Sequence, residues 1–139
     1  MVMFMAINYL AVLAAAVAVN VLGMFWYSPA GFANAWVKAV GFSKKQIKDG
    51  KNKGMAKPMA INFVVSLVEA FVLANFVMLT GAATALQGAV TGVWLWLGFI
   101  ATTTLGIVLW EGKPAKLWVI NNGFHLAALA LMGAILAAW

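Results

Sequence analysis

The sequence predicts an all-α polytopic membrane protein: a bundle of four transmembrane helices with a short interfacial helix in its first loop. Three observations carry this. Of 139 residues, 65% are hydrophobic and only 9% charged, with a mean hydropathy of +0.99; a water-soluble domain carries about 45–50% apolar and about 25% charged residues. The apolar residues fall into four runs of roughly 20–24, and a helix rising ~1.5 Å per residue needs about 20 to cross a ~30 Å hydrocarbon core. All nine basic residues are Lys, and they are segregated into two of the three connections.

The runs extend from about Phe4 to Tyr27, Pro58 to Leu79, Ala89 to Trp110 and Lys116 to Trp139, so residues 1–139 read as one membrane domain. None alternates apolar with polar as a spanning strand must, and in lipid a helix satisfies its own backbone N–H groups. The first run lacks the basic segment that opens a secretory signal and exceeds the usual apolar length of one, so a retained helix is expected. Pro29 stops that helix, because proline has no N–H and clashes with the preceding turn. Phe32, Ala35, Trp36 and Val40 then recur at helical spacing, which predicts the short interfacial helix. Ser43 and Gln46 form a capping-box pattern, and Gly50 is placed to end the brief helix that it opens.

Charge orients the bundle. Segment 38–57 holds seven Lys and one Asp, equal to the whole net charge of +6, and Lys113 and Lys116 lie in the third connection. The second connection has no charge. Loops one and three share a side, so the positive-inside rule places both in the cytoplasm and both termini outside. Trp26, Tyr27, Trp36, Trp110 and Trp118 fall near the inner interface, and Trp94, Trp96 and Trp139 toward the outer one. Lys44, Lys45, Lys48, Lys51 and Lys53 are candidates to touch anionic lipid headgroups or an acidic partner, although topology alone accounts for the bias. With no Arg and no interleaved aromatics, the loop is not expected to bind nucleic acid.

The candidate site lies inside the apolar runs. Glu69 falls about 16 Å along its helix, His125 about 14 Å and Asn20 about 10 Å from the lysine-bearing end. Thr102, Thr103 and Thr104 lie at similar depth, with Asn62, Asn121 and Asn122 closer to that end. Asn62 and Glu69 are seven residues apart, and Asn121 and His125 four, so each pair shares a helix face. A carboxylate at mid-membrane costs at least about 2.5 kcal/mol, so Glu69 must face the interior and find a partner or a proton. His125 is the candidate partner. The expected binding set for a small solute or cation is therefore Glu69, His125, Asn20, Asn62, Asn121, Asn122 and Thr103; the alternative is that these groups only hold the helices in register. Gly88 and Gly92 form a GxxxG pair, and Ala130, Gly133, Ala134, Ala137 and Ala138 give the last helix a small-residue face, suited to contacts within one chain or between copies.

One further signal lies in the combined motifs. Trp26-Tyr27-Ser28-Pro29 with Phe32 and Ala35-Trp36, Trp96-Leu97-Gly98-Phe99, and Glu111-Gly112-Lys113-Pro114 through Ile120-Asn121, Gly123 and His125 to Met132-Gly133-Ala134-Ile135-Leu136 resemble the domain of unknown function 1761 family over essentially the whole chain. The resemblance implies a bacterial, four-helix integral protein of the cytoplasmic membrane and supplies no mechanism. The chain departs from the family's pattern in its Lys-rich first loop, where a mixed-charge stretch is usual.

These readings converge on a homo-oligomeric transporter or channel built around the Glu/His cluster, with a non-catalytic accessory or assembly subunit of a larger membrane complex as the alternative. An enzyme is not expected: the sequence offers no nucleophile with a base at readable spacing and no nucleotide-binding glycine motif. With no Cys and one His, no metal site and no cofactor is expected either.

Overall fold

Asn8 opens the first helix: its side chain accepts the Ala11 N–H at 3.2 Å, satisfying one of the donors a helix start leaves free. The computed structural model describes residues 7–139, so the predicted start at Phe4 lies outside the described residues. Helix α1 runs Tyr9–Trp26 and ends just ahead of Pro29. A tight turn comes next, in which the Phe32 N–H bonds the Trp26 carbonyl at 2.7 Å. The expected interfacial helix is α2, Ala33–Val40.

Ser43 and Gln46 form a true capping box at the head of α3, Lys44–Lys53. Gly50 does not end this helix. It sits inside it, and the stop is Gly54, because a glycine on an exposed helix costs only about 1 kcal/mol against alanine and need not break it.

Helix α4 spans Ala56–Thr80. It starts two residues earlier than the apolar run because Pro58 sits in its first turn, where no backbone N–H needs a partner within the helix. Gly81 closes it at φ +70°, the left-handed conformation that glycine adopts without strain. Thr84 and Gln87 form a second capping box and launch α5, Ala85–Leu109. Helix α6 runs Ala115–Ala138.

Helices α1, α4, α5 and α6 are each long and apolar enough to cross a membrane, and no strand occurs among the described residues. The chain is a multi-pass membrane protein. Helix α6 is central and packs on α1, α4 and α5. Where the helices meet, small side chains dominate: Ala15, Ala16 and Ala70 are wholly buried, with Leu73 and Met132 the large residues among them. The bulky Leu13, Val17, Val68 and Val72 point outward. The solvent explains this: lipid is as apolar as leucine, so association rests on close backbone approach rather than on hiding large side chains.

The closest approach is between α5 and α6. A Cβ at Gly88 would collide with the Gly133 carbonyl, one at Gly133 with the Gly88 carbonyl, and one at Gly92 with the Leu129 carbonyl. The GxxxG pair and the small face of α6 therefore meet each other within one chain. In contrast, α4 and α5 barely touch beyond the turn that joins them.

Helix α5 is not regular. Its α-helical part, Ala85–Leu95, passes into a π-helical turn over Trp96–Ala101 before Thr102–Thr104 and Gly106–Leu109 continue. The hydroxyls of Thr102, Thr103 and Thr104 donate to the carbonyls of Gly98, Phe99 and Ile100, supplying partners where the wider turn disturbs the backbone ladder.

Candidate functional site

Among the polar residues within the spans, two groups have opposite character. The first is a hydrogen-bonded belt around Asn121 and Asn122 of α6. From the end of α1, the Trp26 indole donates to the Ile120 carbonyl at 3.0 Å, and the Tyr27 hydroxyl donates to Asn121 Oδ1 at 2.7 Å. From α5, the Trp96 indole donates to the Asn122 carbonyl at 2.9 Å. The Thr104 hydroxyl lies 2.8 Å from Asn122 Oδ1 and accepts the Trp118 indole N–H at 3.1 Å. Asn122 Nδ2 closes the ring by donating to the Trp118 carbonyl. Each amphipathic ring thus buries its body and hands its one polar atom to a neighbouring helix.

Trp96, expected near the outer interface, is a member of this belt. It lies about 16 Å into α5, half-buried, because its indole finds a buried carbonyl instead of headgroups. Thr103 is a second correction: it is exposed, its hydroxyl bonded back to Phe99, and Thr104 takes the expected place. A regular helix continuing from Gly88, Gly92 and Leu95 would bring Phe99 and then Thr102 or Thr103 onto α6. The π turn inserts one residue and rotates the rest of the helix by about 100°, so the inward line passes through Trp96, Ala101 and Thr104.

Asn20 and Asn62 form a separate strap between α1 and α4, with Asn62 Nδ2 donating to Asn20 Oδ1 at 3.0 Å. Asn75 belongs to no predicted set: its Nδ2 bonds the Phe71 carbonyl, while its Oδ1 is buried with no partner among the described residues. Its only signal in the sequence is an amide six residues past Glu69 in an apolar run.

The second group is Glu69 and His125. Glu69, Val72, Leu73 and Phe76 occupy one face of α4 at i, i+3, i+4 and i+7, and His125 and Leu129 one face of α6. With Leu95, Phe99 and Ile100 of α5 they line a cavity of ≈ 490 Å³. Helix α6 forms its floor, and the divergence of α4 from α5 leaves it open along its side. Its rim is apolar and exposed, with Val72 46%, Phe76 37% and Phe99 69% accessible. Neither the carboxylate of Glu69 nor the imidazole of His125 hydrogen-bonds to any described residue, and no ion pair joins them; His125 is held by the ring of Phe124. The structure therefore brings these two predicted residues to one cavity and leaves Asn20, Asn62, Asn121, Asn122 and Thr103 out of it.

The lysines lie elsewhere. Lys44, Lys45, Lys48, Lys51 and Lys53 are all exposed on α3, where only Ile47 is partly shielded. A hollow of ≈ 600 Å³ between α2 and α3 has Lys38 and Lys51 among its walls.

Over residues 10–137 the sequence matches the family described as "Protein of unknown function (DUF1761)". The chain belongs to that family. The match takes in all four spans, the belt, the cavity and both amphipathic helices of the first connection. No curated protein and no solved structure matches the chain.

Proposed function

We propose that this protein is a small transporter, working as a homo-oligomer, that carries a small solute across the membrane by way of the cavity between α4 and α5. One observation carries the reading: two ionisable side chains, from different helices, share a mid-membrane cavity and have no hydrogen-bond or ion-pair partner among the described residues. An intramembrane acid is expensive and persists where it has work to do, and a largely apolar cavity of this size with a few convergent polar groups has the character of a small-molecule site. Glu69 is the group that exchanges proton for solute, and His125 its companion. The lysine-bearing end is cytoplasmic and both termini face outward, by the positive-inside rule, in the bacterial cytoplasmic membrane.

The test is flux in proteoliposomes containing a trapped pH-sensitive dye. Under an imposed pH gradient, adding an organic ammonium ion outside should release protons through the wild-type protein and not through Glu69→Gln. Equal proton release by the two proteins, or wild-type vesicles indistinguishable from empty ones, overturns the reading.

The exposed lysine helix favours a second reading. An accessory subunit would use α3 and the Lys38–Lys51 hollow to hold anionic headgroups or an acidic partner, at about 1 kcal/mol per Lys near the surface. On that reading Glu69→Gln is silent, and neutralising Lys44, Lys45 and Lys48 releases the partner.

A further inference from the structure

The cavity has a feature that narrows what it can hold. Its one acid has no countercharge within the spans. All nine basic residues are lysines, and those that enter a spanning helix, Lys57 and Lys116, sit in the first turns of α4 and α6. Glu69 lies 12 residues beyond Lys57, about 18 Å along the helix axis. No described side chain offers its carboxylate a hydrogen bond. A carboxylate in low dielectric without a cation is strongly destabilised and is relieved by whatever cation reaches it.

The route to it is equally specific. Behind the cavity, Leu73 and Leu129 are buried, and α5 is sealed to α6 by the Gly88–Gly133 and Gly92–Leu129 contacts. The open side is the gap between α4 and α5. Its rim residues are apolar: Val72 and Phe99 lie within four residues of the middle of their spans, and Phe76 about 6 Å short of the end of α4, so the mouth opens mainly toward hydrocarbon. Two of the nine lining residues are phenylalanines, whose ring faces attract cations, most strongly when water is absent.

We infer that the cavity binds a lipophilic organic cation, which enters sideways from the membrane between α4 and α5 and places its charge against Glu69, with Phe76 and Phe99 around its apolar body. His125, on the floor, offers a ring nitrogen to any N–H the cation carries. This rests on the transport reading for its site and goes beyond it in naming the ligand class and the side of entry.

The experiment compares two probes of nearly identical size and apolarity but opposite charge. Radiolabelled tetraphenylphosphonium and tetraphenylborate are titrated onto the purified protein in lipid nanodiscs above neutral pH, with empty nanodiscs subtracted. Saturable binding of tetraphenylphosphonium is expected, weakened about tenfold or more by Glu69→Gln, with no saturable binding of tetraphenylborate. Val72→Trp, at an exposed rim position outside the packed core, should block the mouth and abolish binding while the thermal unfolding temperature is kept. Equal binding of the two ions, or phosphonium binding unchanged in both variants, overturns the inference. Phosphonium binding lost in both variants but with no proton-coupled flux in vesicles keeps the inference and removes transport; coupled flux of a small hydrophilic cation without phosphonium binding does the reverse.

Discussion

Helix α6 carries two polar sites one turn apart, and they are built on opposite rules. At Asn121 and Asn122, three indoles, a tyrosine hydroxyl and a threonine hydroxyl from three segments are matched to amide, carbonyl or hydroxyl groups at 2.7–3.1 Å. At His125 the next inward-facing polar group meets a cavity and, across it, Glu69, and neither has a hydrogen-bond partner among the described residues. The belt uses polarity to join helices that the hydrophobic effect cannot drive together in lipid. The cavity keeps polarity in reserve. Depth and residue type are alike in the two regions; what differs is whether the hydrogen bonds are already filled, and on the transport reading that difference separates a structural polar group from a working one.

The largest expected effect strikes what both regions share. Gly133→Leu drives a side chain into the Gly88 backbone, which cannot yield as a flexible side-chain tip would. Overpacking of this kind costs about 1–3 kcal/mol, and here the upper end applies because the obstacle is backbone. Thermal unfolding in detergent should fall steeply, with binding and belt fluorescence lost together. If unfolding is unchanged, α5 and α6 are not held by this seam, and the shape of the cavity needs another explanation.

The next experiment separates the two regions. Asn122→Ala removes both bonds of a side chain that is only 3% exposed, and stability should drop by about 1–2 kcal/mol. Glu69→Gln removes a charge that has no partner among the described residues, so stability should hold or rise while cation binding is lost. Differential scanning of the two variants beside phosphonium binding gives the crossed result: one stability mutant and one binding mutant. Should Glu69→Gln destabilise as much as Asn122→Ala, Glu69 belongs to the structural class, and the distinction drawn from hydrogen-bond satisfaction fails.

Much of this is legible in the sequence, for identifiable reasons. Run length and lysine placement mark four spans because the membrane imposes a thickness and an apolar solvent, both written directly into composition. The Ser43–Gln46 box and the α2 periodicity are local signals and read as such. Glu69 and His125 stand out because ionisable residues are costly in lipid. Their separation from Asn121 and Asn122 does not, since it depends on how far α4 leans from α5, which no local spacing encodes. Trp96 reads as an outer-interface residue because a tryptophan in a membrane protein normally seeks headgroups, and only the tertiary contact reveals a buried carbonyl within its reach.

The smallest predicted effect tests the π turn, which decides which threonine joins the belt. Thr103→Val removes a hydroxyl that is exposed and bonded only to its own helix, so stability should change by less than about 0.5 kcal/mol. Thr104→Val, one residue on, strips the acceptor from the Trp118 indole and removes the hydroxyl that lies 2.8 Å from Asn122 Oδ1. That should cost about 0.6–1.7 kcal/mol, from the average to the maximum measured for interhelical hydrogen bonds in a membrane protein, and should shift the tryptophan emission as one indole loses its partner. A regular α5 would reverse the order, with Thr103 facing α6 and Thr104 turned away. Equal effects, or a larger one at Thr103, would mean that the turn over Trp96–Ala101 does not persist. Phe99 would then rotate inward, and the cavity would lose the aromatic wall that the proposed cation site requires.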